Sequence, residues 1–445
     1  MKKRFEGNAG ARLITLLLFF LPLLILFLMP AGSMAGALWF WPLIFFSILI
    51  MWVLLGRPSD DRLPAPVGPR PLRPEEHPGS VRRFLTVEEG VEAPSGVQIF
   101  RGTLRGDADQ VFSELKNEMG PETVPLLQPE SHGRTSLMLV PKPVEAAAME
   151  RPVRPWLHWL LFGLTFLTTT FAGAAHQGVN LLRDPGLFSV GLSYSVALLA
   201  ILGCHELGHY FTARRHGMRV TPPFFIPVPF ALGTFGAFIQ MRSPAENRKA
   251  LFDVAVAGPL AGLVVAIPAL YFGLKSSEIV PAGSTALESM HGSLSQASIL
   301  MSVLVNASLG DAVSAGSALR LSPLAFAGWL GLLVTALNLI PVGQLDGGHI
   351  ARALLGTRLG AIVSSFSLIA LFLLAVFVWP GLMMWAIIIF FIAGRGMPPL
   401  NDVSPLPFGR KLLGIAAFVI LALILIPMPE GLTSPDSQDM RCPYV

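Results

Sequence analysis

The chain has 445 residues, 53% of them hydrophobic and 13% charged, with a formal net charge of +4 and a mean hydropathy of +0.61. That balance excludes a soluble enzyme and describes a polytopic membrane protein. The basic residues fall in loops, where they act as topology signals, so no nucleic-acid partner is expected. Cys204 and Cys442 give no sign of a disulfide framework.

In chain order, Lys2, Lys3, Arg4 and Arg12 precede an apolar run at 13–29, and a second run follows at about 35–55. Residues 1–56 thus read as a transmembrane hairpin with both outer ends in the cytoplasm. No small-residue cleavage site ends the first run, so it is not taken as a signal peptide. Residues 57–80 are a Pro/Arg-rich linker. Residues 81–150 read as a small soluble α/β domain on the cytoplasmic side. It has strands at 97–104, 124–127 and 135–141 and a helix over 107–119 capped by Asp107. It is barely large enough to bury a core alone, so docking on the membrane part is expected. It carries no metal or nucleophile cluster, and His132 reads as a solvated loop residue.

Residues 151–358 form the predicted membrane core. A third helix begins at 156–171, and a fourth spans about 187–213, ending at the cytoplasmic Arg214 and Arg215. The stretch from His216 to Arg242 holds Pro222, Pro223, Pro227, Pro229, Gly233 and Gly236. It is too broken for a spanning helix, and reads as an extended or hairpin segment that re-enters the membrane and offers a strand edge. A fifth helix covers 250–273 and contains Gly258-Pro259-Leu260-Ala261-Gly262, a spacing that lets helices approach closely; packing is the favoured reading. Residues 275–323 read as an outer loop with a short apolar piece at 297–305. A sixth helix covers 324–341. Residues 359–428 hold further apolar runs at 359–379, 382–393 and 411–427, followed by a polar tail at 429–445. The fold class is mainly α: a transmembrane bundle of about nine helices.

The fourth helix carries His205-Glu206-Leu207-Gly208-His209. Residues i and i+4 share a helix face, so His205 and His209 can grip one metal ion, and Glu206 beside them can take a proton from an attacking water. The motif follows an uncharged apolar run, 198–202. Ionisable groups at such depth are expensive and mark function by default. A bland reading, a polar patch at the lipid headgroup level, remains. Cys204 points about 100° away from His205 and reads as packing.

A catalytic zinc takes three protein ligands and leaves one position open. The acidic residues set in apolar sequence are Glu246, Asp253 and Asp346. Asp346 follows a membrane helix, sits after Pro341 and Gly343, and precedes Gly347 and Gly348. Ligand and helix cap are both open readings for it. With the histidine motif present, the ligand is favoured. His349 reads as a partner of a ligand.

Glu206 between two histidines in a membrane helix, with Leu345-Asp346-Gly347 after a later one, closely resembles the site-2 protease family of intramembrane zinc metalloproteases. The resemblance covers about 187–355 and includes Gly258, Pro259, Gly262, Asn338 and Pro341. The stretch from Phe252 to Gly262 is most similar to the branch of plant chloroplast members and their prokaryotic relatives. The usual Asn-Pro-Asp-Gly reads Gln344-Leu345-Asp346-Gly347 here, which keeps the aspartate. The resemblance implies zinc held by His205, His209 and Asp346, Glu206 as base, and Asn338 on the substrate backbone. It implies an endopeptidase acting on single-pass membrane proteins within the lipid bilayer. Two rivals are a membrane metal transporter, which needs no glutamate beside the first histidine, and an inactive scaffold, which is expected to have lost one of these four residues. The absence of a Ser/Arg-rich segment before Leu13 points to a prokaryotic plasma membrane, with the site toward the cytoplasm.

Overall fold

The computed structural model describes residues 70–93, 95–120, 122–130, 133–141, 155–229, 232–281, 298–310, 317–377, 382–392 and 398–426. The helices expected at 13–29 and 35–55, most of the linker, His132 and the polar tail lie outside the described residues.

The small domain is built on a five-stranded sheet of order β1-β2-β3-β5-β4. Its strands are β1 (Arg70–Pro71), β2 (Leu85–Glu92), β3 (Gln98–Leu104), β4 (Thr123–Pro129) and β5 (Thr135–Pro141). The pairs β2/β3, β3/β5 and β5/β4 are antiparallel. A short helix α1 (Gly79–Phe84) precedes β2, and α2 (Ala108–Met119) covers the sheet. The side chain of Asp107 caps α2, accepting from the Asp109 and Gln110 backbone N–H groups. Val111, Phe112 and Leu115 of α2 bury against Phe100, Leu127, Leu137 and Leu139 of the sheet. Three of these strands, β3, β4 and β5, match the expected ones, whereas β1, β2 and α1 were not expected. In β2 a bulge between Val87 and Glu89 breaks the two-residue alternation by which a strand is recognised.

The membrane part is helical. Its helices are α3 (Pro155–His176), α4 (Phe188–Arg215), α5 (Arg248–Lys275), α6 (Ile299–Leu309), α7 (Pro323–Leu339), α8 (Asp346–Phe377), α9 (Leu382–Ile392) and α10 (Phe408–Leu425). Among the described residues, five helices are long and apolar enough to cross a membrane, those at 155–176, 185–215, 248–275, 346–377 and 408–425. Helix α5 packs along α4 and α7 because small residues let the backbones meet. A Cβ on Gly208 would lie 2.6 Å from the Ala257 carbonyl oxygen, and one on Gly328 would lie 2.5 Å from the Leu270 backbone nitrogen. Hydroxyls of α3 fold back on their own helix: Thr165, Thr169 and Thr170 each donate to the carbonyl four residues earlier. Helix α7 stops at Leu339 since Ile340 precedes a proline and takes an extended conformation.

Two expectations change. The piece at 297–305 is a helix, α6, not loop: Ser298 caps it, and Met301 and Leu304 bury against the bundle. At roughly 16 Å it remains too short to span. The run at 359–379 belongs to α8, which begins at Asp346 and breaks at Gly356, where φ is +82°. The limb after the break folds back on the first. A Cβ on Gly360 would lie 2.9 Å from Arg352 Cα, and the Gly343 backbone N–H donates to Ser364 Oγ at 2.8 Å. Helix α9 and the end of α8 belong to a second compact unit, in which Phe372 meets Phe390 edge-on at 6.2 Å.

The stretch rich in proline and glycine forms a hairpin of β6 (Phe224–Pro227) and β7 (Thr234–Phe238), antiparallel with Phe224 opposite Phe238. Three contacts tie it to the helices. His158 Nδ1 meets the Pro223 carbonyl oxygen at 3.0 Å, Thr168 donates to that of Gly233 at 2.7 Å, and Tyr194 donates to that of Leu232 at 2.9 Å.

Candidate metal centre

Helix α4 presents His205, Glu206 and His209, all buried, at 4%, 7% and 6% exposure. The start of α8 brings Asp346 to the same point. Among the described residues, these two histidines and this aspartate are the one group of three or more such side chains whose ligand atoms converge, all within 4.8 Å of one another. His205 Nε2 and His209 Nε2 lie 3.1 Å apart. Asp346 Oδ2 lies 3.4 Å from the first and 3.2 Å from the second.

These separations test the fit of a metal. Bonds of about 2.0–2.1 Å in a tetrahedron require ligand atoms about 3.3–3.4 Å apart. The observed triangle is close to that size. His209 Nδ1 sits 2.8 Å from the Val254 carbonyl oxygen of α5. With the proton on Nδ1, donated to that carbonyl, the Nε2 lone pair faces the centre of the triangle. Two nitrogen lone pairs and a carboxylate oxygen pointed at one spot repel each other unless a cation lies between them. The donor set of two imidazoles and one carboxylate suits zinc.

The other acidic candidates are engaged elsewhere. Asp253 forms a two-pronged pair with Arg410, both contacts 2.7 Å, and meets His216 at 3.0 Å. Glu246 faces Lys116 at 3.2 Å. His349 is not part of the triangle. Asn338 does reach it, its Nδ2 lying 3.4 Å from His205 Nε2. Asp346 is also the first residue of α8, so helix start and proximity to the histidines occur together.

What several glycines touch escapes a sequence reading. Gly258 and Gly262 lie directly against the ligand candidates. A Cβ on Gly258 would overlap the His209 ring, and one on Gly262 would sit 3.3 Å from His205 Cβ. Their four-residue spacing, matched to that of the histidines, was the available signal. Gly347 and Gly348 serve close approach too: a Cβ on either would enter the backbone of 339–343. Strand β7 packs against α4, so the hairpin lies beside the helix that carries Glu206.

Residues 193–379 match the model of peptidase family M50. "Probable zinc metalloprotease EGY2, chloroplastic" of Arabidopsis thaliana is 30% identical over 376 residues, covering 80% of this chain and 64% of that protein. "Probable zinc metalloprotease EGY1, chloroplastic" of Oryza sativa subsp. japonica is 30% identical over 388 residues, covering 78% and 66%. "Probable zinc metallopeptidase EGY3, chloroplastic" of Arabidopsis thaliana is 28% identical over 357 residues, covering 75% and 61%. The chain thus spans just under two thirds of these relatives' length. No solved structure matches. Residues 193–379 are a domain of peptidase family M50, the site-2 protease family, and the chain is homologous to chloroplast zinc metalloproteases. It is an integral membrane protein of a family that uses zinc.

Proposed function

We propose that this protein is an intramembrane zinc endopeptidase that cuts the transmembrane segments of single-pass membrane proteins. The observation that carries the reading is the triangle of buried His205 and His209 with half-buried Asp346, with Glu206 on the same helix turn as the histidines. The three triangle residues hold the metal. When bound, zinc supplies Lewis acidity to the scissile carbonyl and to the attacking water. Glu206 takes the proton from that water and returns it to the leaving amine. The Val254 carbonyl holds the His209 ring in the tautomer that keeps Nε2 free for the metal.

A substrate helix satisfies its own carbonyls, so it must open before one can be attacked. The β6/β7 hairpin, re-entering the membrane beside Glu206, offers its edge to the opened strand. Asn338 holds the substrate backbone. The basic flanks, Arg214 and Arg215 among them, argue for a cytoplasmic position of the metal and of the small domain. A reporter fused after Arg83 would then behave as cytoplasmic, and one fused near Gly283 as external. The relatives carry a chloroplast label, and nothing in them favours the prokaryotic plasma membrane expected from the sequence.

The test uses the purified full-length chain in bilayers with a membrane-anchored peptide. Zinc near one per chain with cleavage at an internal peptide bond supports the reading. Zinc flux into sealed vesicles without cleavage would favour the transporter. Bound zinc with neither flux nor cleavage would favour the scaffold.

A further inference from the structure

Residues 398–404, between α9 and α10, form an extended strap with hydrogen bonds on both sides. On one side the Leu127 N–H of β4 donates to the Leu400 carbonyl at 2.7 Å, and the Asp402 N–H donates back to Leu127 at 2.8 Å. On the other, the Leu400 and Asn401 N–H groups donate to the Ala245 and Glu246 carbonyls at 2.9 and 2.8 Å, just ahead of α5. Leu400 and Val403 pack into the core of the small domain. Asn401, wholly buried, donates to the Ala108 carbonyl at 3.0 Å, and Ser404 donates to Asp109 at 2.5 Å. The strap thus belongs to the small domain by packing and to the helical bundle by sequence.

Its centre carries a charge with no exposure to solvent. The Asp402 carboxylate lies 3.2 Å from Arg248 Nε and 3.9 Å from Arg352 Nη2, and accepts a hydrogen bond from the Thr357 hydroxyl. These partners surround one point, the break in α8. Arg352 is on the limb before Gly356, and Thr357 is on the limb after it. Arg248 packs on the bend itself: a Cβ on Gly356 would lie 3.0 Å from its Nη2. Arg352 follows Asp346 on the same limb, about 9 Å along the axis. Burial pushes the Asp402 carboxyl up, and Thr357, Arg248 and Arg352 recover only part of that shift. Such a cluster is a weak source of stability, and its value is in fixing one geometry.

We propose that Asp402 is a positioning residue for the metal centre: from the strap it clamps the bend at Gly356 and so orients the limb that carries Asp346. The inference rests on the reading of Asp346 as a ligand. It makes the small domain, which grips the strap, a part of the support of a site it does not touch.

The experiment uses the full-length chain in detergent with two variants, Asp402→Asn and Thr357→Val. The first readout is amide hydrogen exchange of the metal-free protein, comparing 346–355 with 188–215. The second is zinc affinity measured by competition with a chelator. In Asp402→Asn, exchange of 346–355 is expected to rise about tenfold while 188–215 stays unchanged, and zinc affinity to fall about tenfold. Thr357→Val, which removes a single hydroxyl, is expected to give a smaller change of the same pattern. Exchange and affinity within about twofold of the parent in both variants, or exchange raised equally in both segments, overturns the proposal. Should Asp402→Asn fail to fold, Thr357→Val decides alone. Should the parent chain hold no zinc, the protease reading falls, while the exchange of 346–355 still decides the role of the clamp.

Discussion

The candidate metal centre is assembled from two regions held by different physics. On α4, His205 and His209 are fixed by contact. Gly258 and Gly262 bring the α5 backbone against their rings, and Gly208 brings α4 against Ala257 and Ala261. Close-packed surfaces of this kind do not deform by small steps. Asp346 sits instead on a short limb bounded by two bends, at Gly343 with φ +49° and at Gly356 with φ +82°. Polar groups hold the ends of that limb, Ser364 at Gly343 and Asp402 around Gly356, while Ile350 and Ala353 pack its middle into the core. A site built from one rigid wall and one clamped arm has its tolerance on the arm.

The comparison can be broken or sharpened by substitution, starting with the largest effect. Glu206→Gln removes the base and leaves the wall intact, so cleavage is expected to fall by about 10²–10⁴-fold with zinc still near one per chain. Gly258→Ala drives a methyl group into the His209 ring, and a displacement of about 1 Å is expected to cost about 10²-fold in cleavage, with weaker zinc binding. If this variant works almost normally, the wall yields and is no more rigid than the arm. Asp346→Asn separates ligand from cap. An amide binds zinc poorly but caps a helix as well as the acid, so zinc affinity and cleavage should fall together while the melting temperature holds. Gly356→Ala forces a side chain into a left-handed conformation, expected to cost about 1–2 kcal/mol of stability, read as a lower melting temperature.

The smallest effect concerns the small domain. Burial pushes the Asp109 carboxyl up, but Lys249 and Ser404 outweigh it and hold it below its ordinary value. A depressed carboxylate contributes stability that is complete above the unfolded value near 3.8 and is lost as pH falls through the lower, folded value. Acid should therefore loosen the domain from α5. Asp109→Asn should flatten that part of the stability profile, measured by exchange of 108–119 against pH.

Much of this was legible in the sequence for local reasons. The histidine motif is a helix-face pattern, Asp107 is a cap by position, and the prolines and glycines of 221–236 forbid a spanning helix. The partner of Gly258 was hidden because a small residue in a membrane helix states that something comes close, not what. Strand β2 was hidden by its bulge, and α6 by its shortness. Asp402 was beyond reach: its partners lie 154, 50 and 45 residues earlier, and nothing near it in the chain signals a buried cluster.

The span between ligand candidates has a kinetic meaning. His209 precedes Asp346 by 137 residues. Closing a loop of that length costs only about 2 kcal/mol more than closing one of ten residues, so distance is no thermodynamic obstacle. It does order events. Chains emerge amino end first, and α5, α6 and α7 must all be threaded before the carboxylate can meet the imidazoles. A half-made chain carries its base and two nitrogen donors in a bilayer full of helices, yet lacks the group that completes the metal site. Long-range closure of this sort would keep the proposed activity from appearing until α7 and the start of α8 have been made.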